Sequence, residues 1–154
     1  MGKYYEELHI GDVYKHRLTR TVTETDNLLF STMTHNSQPL HLDEEFSKKT
    51  IYGERIVNSL FTLSVLVGVS VEELTAGTTL GNLGFEETFF PNPVKIGDTL
   101  RFETKIFNKR ESKSRPNAGI VIFEHSGYNQ HNELVVKTKR AGLMLKKEFA
   151  TTNS

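Results

Sequence analysis

Three long stretches with strand character in the second half of the chain constrain the fold most. Leu100, Phe102, Thr104 and Ile106 alternate with Arg101, Glu103 and Lys105. That is the period-two pattern of a strand with one buried face. Ile120 to Tyr128 and Leu134 to Leu145 are long, β-branched and mostly apolar. The cluster Asn129-Gln130-His131-Asn132 between them predicts a hairpin turn. A strand of ten or more residues spans ~33 Å or more. Strands of that length curve, and a curved antiparallel sheet can wrap one helix. The candidate for that helix is Ile56 to Val71, apolar on nearly every face and so predicted to be enclosed. Val65, Val67, Val69 and Val71 would also suit a strand. Asn58, Ser59, Thr62 and Ser64 interrupt the segment, which is too short and too polar to span a bilayer.

The first half is shorter-ranged. Gly11-Asp12 reads as a turn into a strand from Val13 to about Val22. Thr23-Glu24-Thr25-Asp26 supplies N-cap hydroxyls and early acids for a helix. Leu28, Leu29, Phe30 and Met33 would be its apolar face. Pro39 disfavours helical geometry at Gln38, so His35 to Leu42 is expected to be a loop. Asp43-Glu44-Glu45 then opens a short helix to about Lys49. No internal repeat or linker divides the 154 residues, which predicts one domain over 1–154. Its core is expected over about 14–145, with a disordered tail at 148–154.

Charge and composition exclude several classes. Nineteen basic and nineteen acidic residues balance, so no strong field draws the chain to nucleic acid or an anionic membrane. With no cysteine there is no disulfide frame, thiolate metal site or Cys nucleophile. Met1 to Glu7 carries acids where an export signal is apolar, so the expected location is the cytoplasm.

The chemistry concentrates in Thr34-His35-Asn36-Ser37-Gln38-Pro39-Leu40-His41-Leu42-Asp43, with two histidines, two asparagine or glutamine amides and an aspartate around one proline. Pro39-Leu40-His41 resembles the core of the hydratase signature Gly-Asp-any-Asn-Pro-Leu-His of the MaoC-like enoyl-CoA hydratases. Gln38 stands where that pattern has Asn, Asn36 where it has a catalytic Asp, and His35 where it has Gly. Phe89-Phe90-Pro91-Asn92-Pro93-Val94-Lys95-Ile96-Gly97-Asp98-Thr99-Leu100 is similar to a strand pair of the same group. The resemblance implies an α+β hotdog fold, a curved antiparallel sheet around a central helix. It also implies an acyl-CoA substrate, no metal or redox cofactor, and a homodimer or higher even-numbered homo-oligomer. Thr-His-Asn before Gln-Pro-Leu-His, with Ser114-Arg115-Pro116 later, resembles a branch linked to mesaconyl-CoA and itaconyl-CoA.

Hydrating a 2-enoyl thioester needs a base for water, an acid for Cα and donors for the thioester oxygen. His41 suits the first two, since one imidazole can accept and return a proton near neutral pH. Asn36 could hold the water through its amide. Asp43 would either orient the imidazole or cap the next helix. Asn58 and Ser59 open the enclosed helix, where N–H groups are unpaired and the dipole is positive. The resemblance places the oxyanion N–H on Ser59, where the pattern has Gly; the competing role for both residues is capping. His35 joins the substrate-binding candidates. Lys113 and Arg115 belong to a basic cluster that would contact CoA phosphates or a substrate carboxylate, or is simply solvated. His35, His41 and Asp43 have no recognised zinc spacing, and no Gly-x-Ser-x-Gly elbow supports Ser37 or Ser59 as a nucleophile. Two other functions remain open: a hotdog thioesterase, and an acyl-CoA binder without turnover, which the absence of an acid at position 36 favours.

Overall fold

The computed structural model describes residues 1–150. Its frame is three long antiparallel strands, β4 (Thr99–Glu111), β5 (Ala118–Tyr128) and β6 (Leu134–Leu145). The turn at 129–133 joins the last two, and Asn129 Oδ1 accepts from the His131 and Glu133 N–H groups. β3 (Thr79–Phe89) lies against β6 as an edge strand, and β1 (Val13–Lys15) and β2 (Arg20–Thr21) lie against β4. The order is β1-β4-β5-β6-β3, with β2 beside β4. Nothing in the sequence pattern marks β3, because Gly81, Asn82 and Gly84 read as turn residues. Three register shifts against β6 accommodate it, and at the last of them Glu87 takes a left-handed φ of 47°.

Four helices follow from local signals. α1 (Glu24–Met33) begins at Thr23, whose hydroxyl accepts from the Asp26 N–H, while the Asp26 carboxylate accepts from the Thr23 N–H. α2 (Pro39–Leu42) corrects the expected loop over 35–42: Pro39 sits at its first turn, where a missing N–H costs nothing. α3 (Glu44–Ser47) is capped by Asp43, and α4 (Ser59–Ser70) by Asn58, whose Oδ1 accepts from Leu60 N–H. A π-turn over Val71–Thr75 extends α4. No helix among the described residues is long and apolar enough to cross a membrane.

Four further expectations change. The strand expected from Val13 to Val22 is cut in two, because His16 turns inward and is 6% exposed. α4 is not enclosed within one chain. Thr62, Leu66 and Ser70 face the sheet, whereas Leu60 is 53% exposed. α1 is inverted: Asn27 and Ser31 are its buried residues, while Leu28, Leu29 and Met33 are exposed. At the C-terminus, Lys147–Phe149 forms a 3-10 turn, its Lys147 N–H bonded to Glu6, where a disordered tail was expected. Residues 151–154 of that tail lie outside the described residues.

Two apolar clusters fill the concave side. Val22, Val57, Leu66, Val94, Leu100, Phe102, Val135 and Val136 form one, beneath the N-terminal part of α4. Tyr5, Leu8, Leu74, Ile106, Val121, Phe123 and Met144 form the other. Between them runs a buried polar seam. Arg140 Nε donates to His125 Nε2 at 3.1 Å, and His125 Nδ1 lies 2.8 Å from Thr104 Oγ1. Thr104 Oγ1 lies 2.7 Å from His16 Nε2, and His16 Nδ1 lies 2.9 Å from a Glu73 carboxylate oxygen. Arginine only donates, so His125 Nε2 must accept and its proton sits on Nδ1. The same logic, carried along the chain so that every atom is used, makes each group donate towards Glu73.

Burial first, and then the neighbouring Arg140 and His16, push the His125 imidazole down to about 3. An unfolded histidine takes its proton near pH 6.5, so between that pH and 3 the unfolded chain binds more protons than the folded one. The His125 contribution is therefore present above pH 6.5 and is lost as pH falls. The loss should not exceed about 1.4 kcal/mol per pH unit. Urea unfolding of wild type and His125→Gln at pH steps from 7 to 4 checks this. The wild type should lose stability more steeply than the variant, and equal slopes would contradict it.

Candidate active site

Asn27, 1% exposed, gathers the site. Its Nδ2 donates to the His41 carbonyl at 3.0 Å, and its Oδ1 accepts from the Asn58 N–H at 2.9 Å. Asn58 Nδ2 in turn donates to Ser31 Oγ. One α1 side chain thus ties α2 to the start of α4. Arg55 closes the same region from outside, with two nitrogens on the Glu24 carboxylate and Nε on Glu44. Both carboxylates, Glu24's the larger influence, raise the guanidinium pKa above its ordinary value. Neither Asn27 nor Arg55 was visible as a site residue in the sequence. An asparagine beside three apolar residues was the one signal for the first.

His41 lies in α2, half-buried, with Nδ1 2.8 Å from the Ile56 carbonyl. A carbonyl only accepts, so Nδ1 carries the proton and the Nε2 lone pair is left without a partner among the described residues. The ring is oriented by this main-chain oxygen and not by Asp43. The Asp43 carboxylate is occupied 2.9 Å from the Phe46 N–H, and its role is the helix cap.

Ser59 is three residues beyond Ile56, at the first turn of α4. The N–H groups of Asn58, Leu60, Phe61 and Thr62 all have acceptors, whereas that of Ser59 has none among the described residues. It is an open donor at the positive end of a twelve-residue helix. Ser59 also lines a cavity of about 290 Å³ with Tyr52, Ile56, Val57, Thr62, Phe90 and the loop to Val94. Asn58 serves as cap and brace and is 2% exposed, so its side chain is committed to the fold.

Asn36 follows α1, and its Oδ1 accepts from the Gln38 N–H at 3.1 Å. Its Nδ2 stays free to donate. His35 is exposed with φ of 55°, in the left-handed region that glycine enters freely. Its position explains the glycine of the resembled pattern, and the structure gives its ring no partner among the described residues. Lys113 and Arg115 do not join this group. They sit in the exposed β4–β5 turn, at the Glu111–Gly119 end of the sheet. The cavity is beside Val94 and Val135, near the other end of β4, a thirteen-residue strand roughly 40 Å long at ~3.3 Å per residue.

A family model described as "MaoC like domain" matches residues 6–138. The mesaconyl-CoA hydratase of Cereibacter sphaeroides is 26% identical over 149 residues, covering 97% of this chain and 43% of that protein. The chain thus spans less than half the length of this curated relative. The structure of a monoamine oxidase regulatory protein from Archaeoglobus fulgius superposes with a TM-score of 0.87 at 31% identity, covering 95% of this chain and 96% of that one. A conserved hypothetical protein of Mycobacterium tuberculosis, described as a double hotdog fold, superposes with a TM-score of 0.86 at 18% identity. It covers 97% of this chain and 46% of that one. The sheet and α4 are a hotdog, and the chain belongs to the MaoC-like domain family.

Proposed function

We propose that this domain is a hydro-lyase that adds water across, or removes it to form, the 2,3 double bond of an acyl-CoA. One observation carries the reading: the carbonyl of Ile56, three residues before the Ser59 N–H that has no acceptor among the described residues, fixes the His41 tautomer so that Nε2 is a free base. In the hydration direction, Asn36 Nδ2 donates to the water oxygen. His41 Nε2 takes a water proton as the oxygen bonds to Cβ. The electron pair moves onto the thioester oxygen, where the Ser59 N–H and the α4 dipole stabilise it. The imidazolium then returns its proton to Cα. The sum is one water added, and the cycle calls for no metal or redox cofactor.

A dicarboxylic acyl group of the mesaconyl-CoA or itaconyl-CoA kind is the substrate class we favour, supported by the named activity of the Cereibacter relative. The proposed assembly is a homodimer or an even multiple of it. The outer edge of β3 has no partner strand among the described residues, and Leu80, Leu83, Phe85 and Phe89 on it are exposed, as is Leu60 on α4. A second copy supplies the apolar cover that one chain lacks.

Mass spectrometry of an enoyl-CoA panel incubated with the protein should show the mass gain of one water. Free thiol release without that gain would indicate a thioesterase, and binding without either would indicate a non-catalytic binder. His41→Ala should lower kcat by roughly 10²–10⁴ with ester binding nearly intact. A loss under about tenfold would move the base elsewhere. Asn36→Leu should lower kcat in a folded protein, while Asn36→Asp retains activity; normal turnover by the leucine variant would remove Asn36 from the reaction. Asn27→Leu strands the Asn58 N–H and the His41 carbonyl, so it should destabilise the fold by about 1–3 kcal/mol. It should also reduce kcat more than it raises KM. Calorimetric melting and steady-state kinetics report both effects.

A further inference from the structure

Arg140 is a buried cation without a counter-ion. It is 3% exposed, on the core side of β6. Among the described residues no ion pair includes it. Of the five N–H donors of a guanidinium, only Nε–H finds an acceptor there, His125 Nε2. The terminal Nη2 is fully buried and has no partner. The Phe123 ring, 4.9 Å from the guanidinium carbon, adds a cation–π contact, and that ring stacks on His125. The carboxylate that ends the hydrogen-bonded seam, Glu73, is separated from Arg140 by the side chains of His125, Thr104 and His16. An unpaired buried charge is costly and is retained where something else neutralises it.

The surroundings identify the neutralising group. Phe85 of β3 is directly opposite Arg140 in the sheet, so the two side chains rise from the same face. Phe85 forms one wall of an open groove of about 530 Å³, whose other walls are Phe30 and Leu60, Leu63, Ser64 and Val67 of α4. The groove begins one residue after the Ser59 N–H and follows the helix for about 10 Å at 1.5 Å per residue. Its lining is apolar apart from Ser64. It suits an alkyl or alkenyl chain whose thioester is held at Ser59, and the guanidinium of Arg140, whose strand position is opposite Phe85, suits a carboxylate, which accepts two parallel N–H bonds.

We propose that Arg140 receives a carboxylate at the far end of the acyl chain, which makes it the specificity-determining residue for a dicarboxyl-CoA ester. This rests on the acyl-CoA reading of the site and replaces Arg115 in the role that the sequence suggested. His125 and Phe123 position the guanidinium, and the α4–β3 groove carries the chain to it. The occupant is the acyl group; a second copy of the chain packed on β3 would roof the groove.

Binding of saturated esters tests this without any turnover. Succinyl-, adipoyl- and suberoyl-CoA are compared by calorimetry with butyryl-, hexanoyl- and octanoyl-CoA. The wild type should bind the carboxylate-ended ligand at one or more chain lengths roughly tenfold or more tighter than its plain counterpart. Arg140→Met should bring the carboxylate-ended ligands down to the affinity of the plain ones, and Arg140→Lys should keep part of the preference. Thermal melts confirm that both variants are folded. A wild type indifferent to the carboxylate at every length overturns the proposal. So does a methionine variant in which both ligand sets weaken together, since that is the behaviour of a core strut or of a groove filled by a second copy. A clear carboxylate preference with no hydration of any enoyl-CoA would leave Arg140 in its role and overturn the hydro-lyase reading instead.

Discussion

The two-ended hydrogen bonding of Asn27 is the constraint on which the site depends. Its amide nitrogen holds the His41 carbonyl and its amide oxygen holds the Asn58 N–H. No other side-chain type of that length offers a donor and an acceptor at once. Without it, the short helix carrying His41 and the first turn of α4 would be joined only through Ile56, which bonds the His41 ring and the Leu40 carbonyl, and by surface ion pairs, which contribute little in water. The polar inner face of α1 follows from this. Asn27 and Ser31 must face inward to meet Asn58, which turns Leu28 and Leu29 outward. The exposed apolar residues of α1 are thus a consequence of building the site.

A second polar element divides the core. The seam from Arg140 to Glu73 passes between the two apolar clusters, in a position where hydrophobic residues would pack at lower desolvation cost. Its direction is uniform, each group donating towards Glu73, so a single missing proton breaks the order. Replacing any one member leaves its neighbours buried and unsatisfied. A core of this kind gives up stability, and an unpaired guanidinium at one end gives a functional reason for doing so.

Legibility in the sequence followed the range of the interaction. The caps at Thr23, Asp43 and Asn58 were readable because each partner lies within three residues. β4, β5 and β6 were readable because their alternation is long, and with them the sheet that curves around α4. The Pro-Leu-His core made His41 a candidate from the sequence. By contrast, the oxygen that orients His41 belongs to Ile56, a main-chain atom fifteen residues away that no residue type announces. β3 was hidden by its glycines, and its pairing with β6 joins residues 48 to 65 positions apart. Arg115 and Arg140 show the same limit from two sides. A basic loop looks like a binding element in one dimension, yet the length of the β4–β5 hairpin carries it to the far end of the sheet. Arg140, directly after Lys137-Thr138-Lys139, looks like an ordinary solvated strand position until the pairing turns it inward.

In the proposed hydration, the hydrogen-bond partner of the His41 imidazole also bears on how one residue could serve as both base and acid. A carboxylate on Nδ1 would hold the imidazolium charged after water gives up its proton, by favourable charge pairing. The Ile56 carbonyl accepts the same hydrogen bond without a full negative charge, so it fixes the tautomer with less stabilisation of the charged ring. The proton on Nε2 is then readily released to Cα. This asymmetry fits a site in which position 36 is an amide. With no second carboxylate to share the proton, a single nitrogen must take it and give it back, and a neutral orienting group keeps both directions accessible. If the same Nε2 serves both steps, as proposed, the hydroxyl and the proton would be delivered to one face of the double bond.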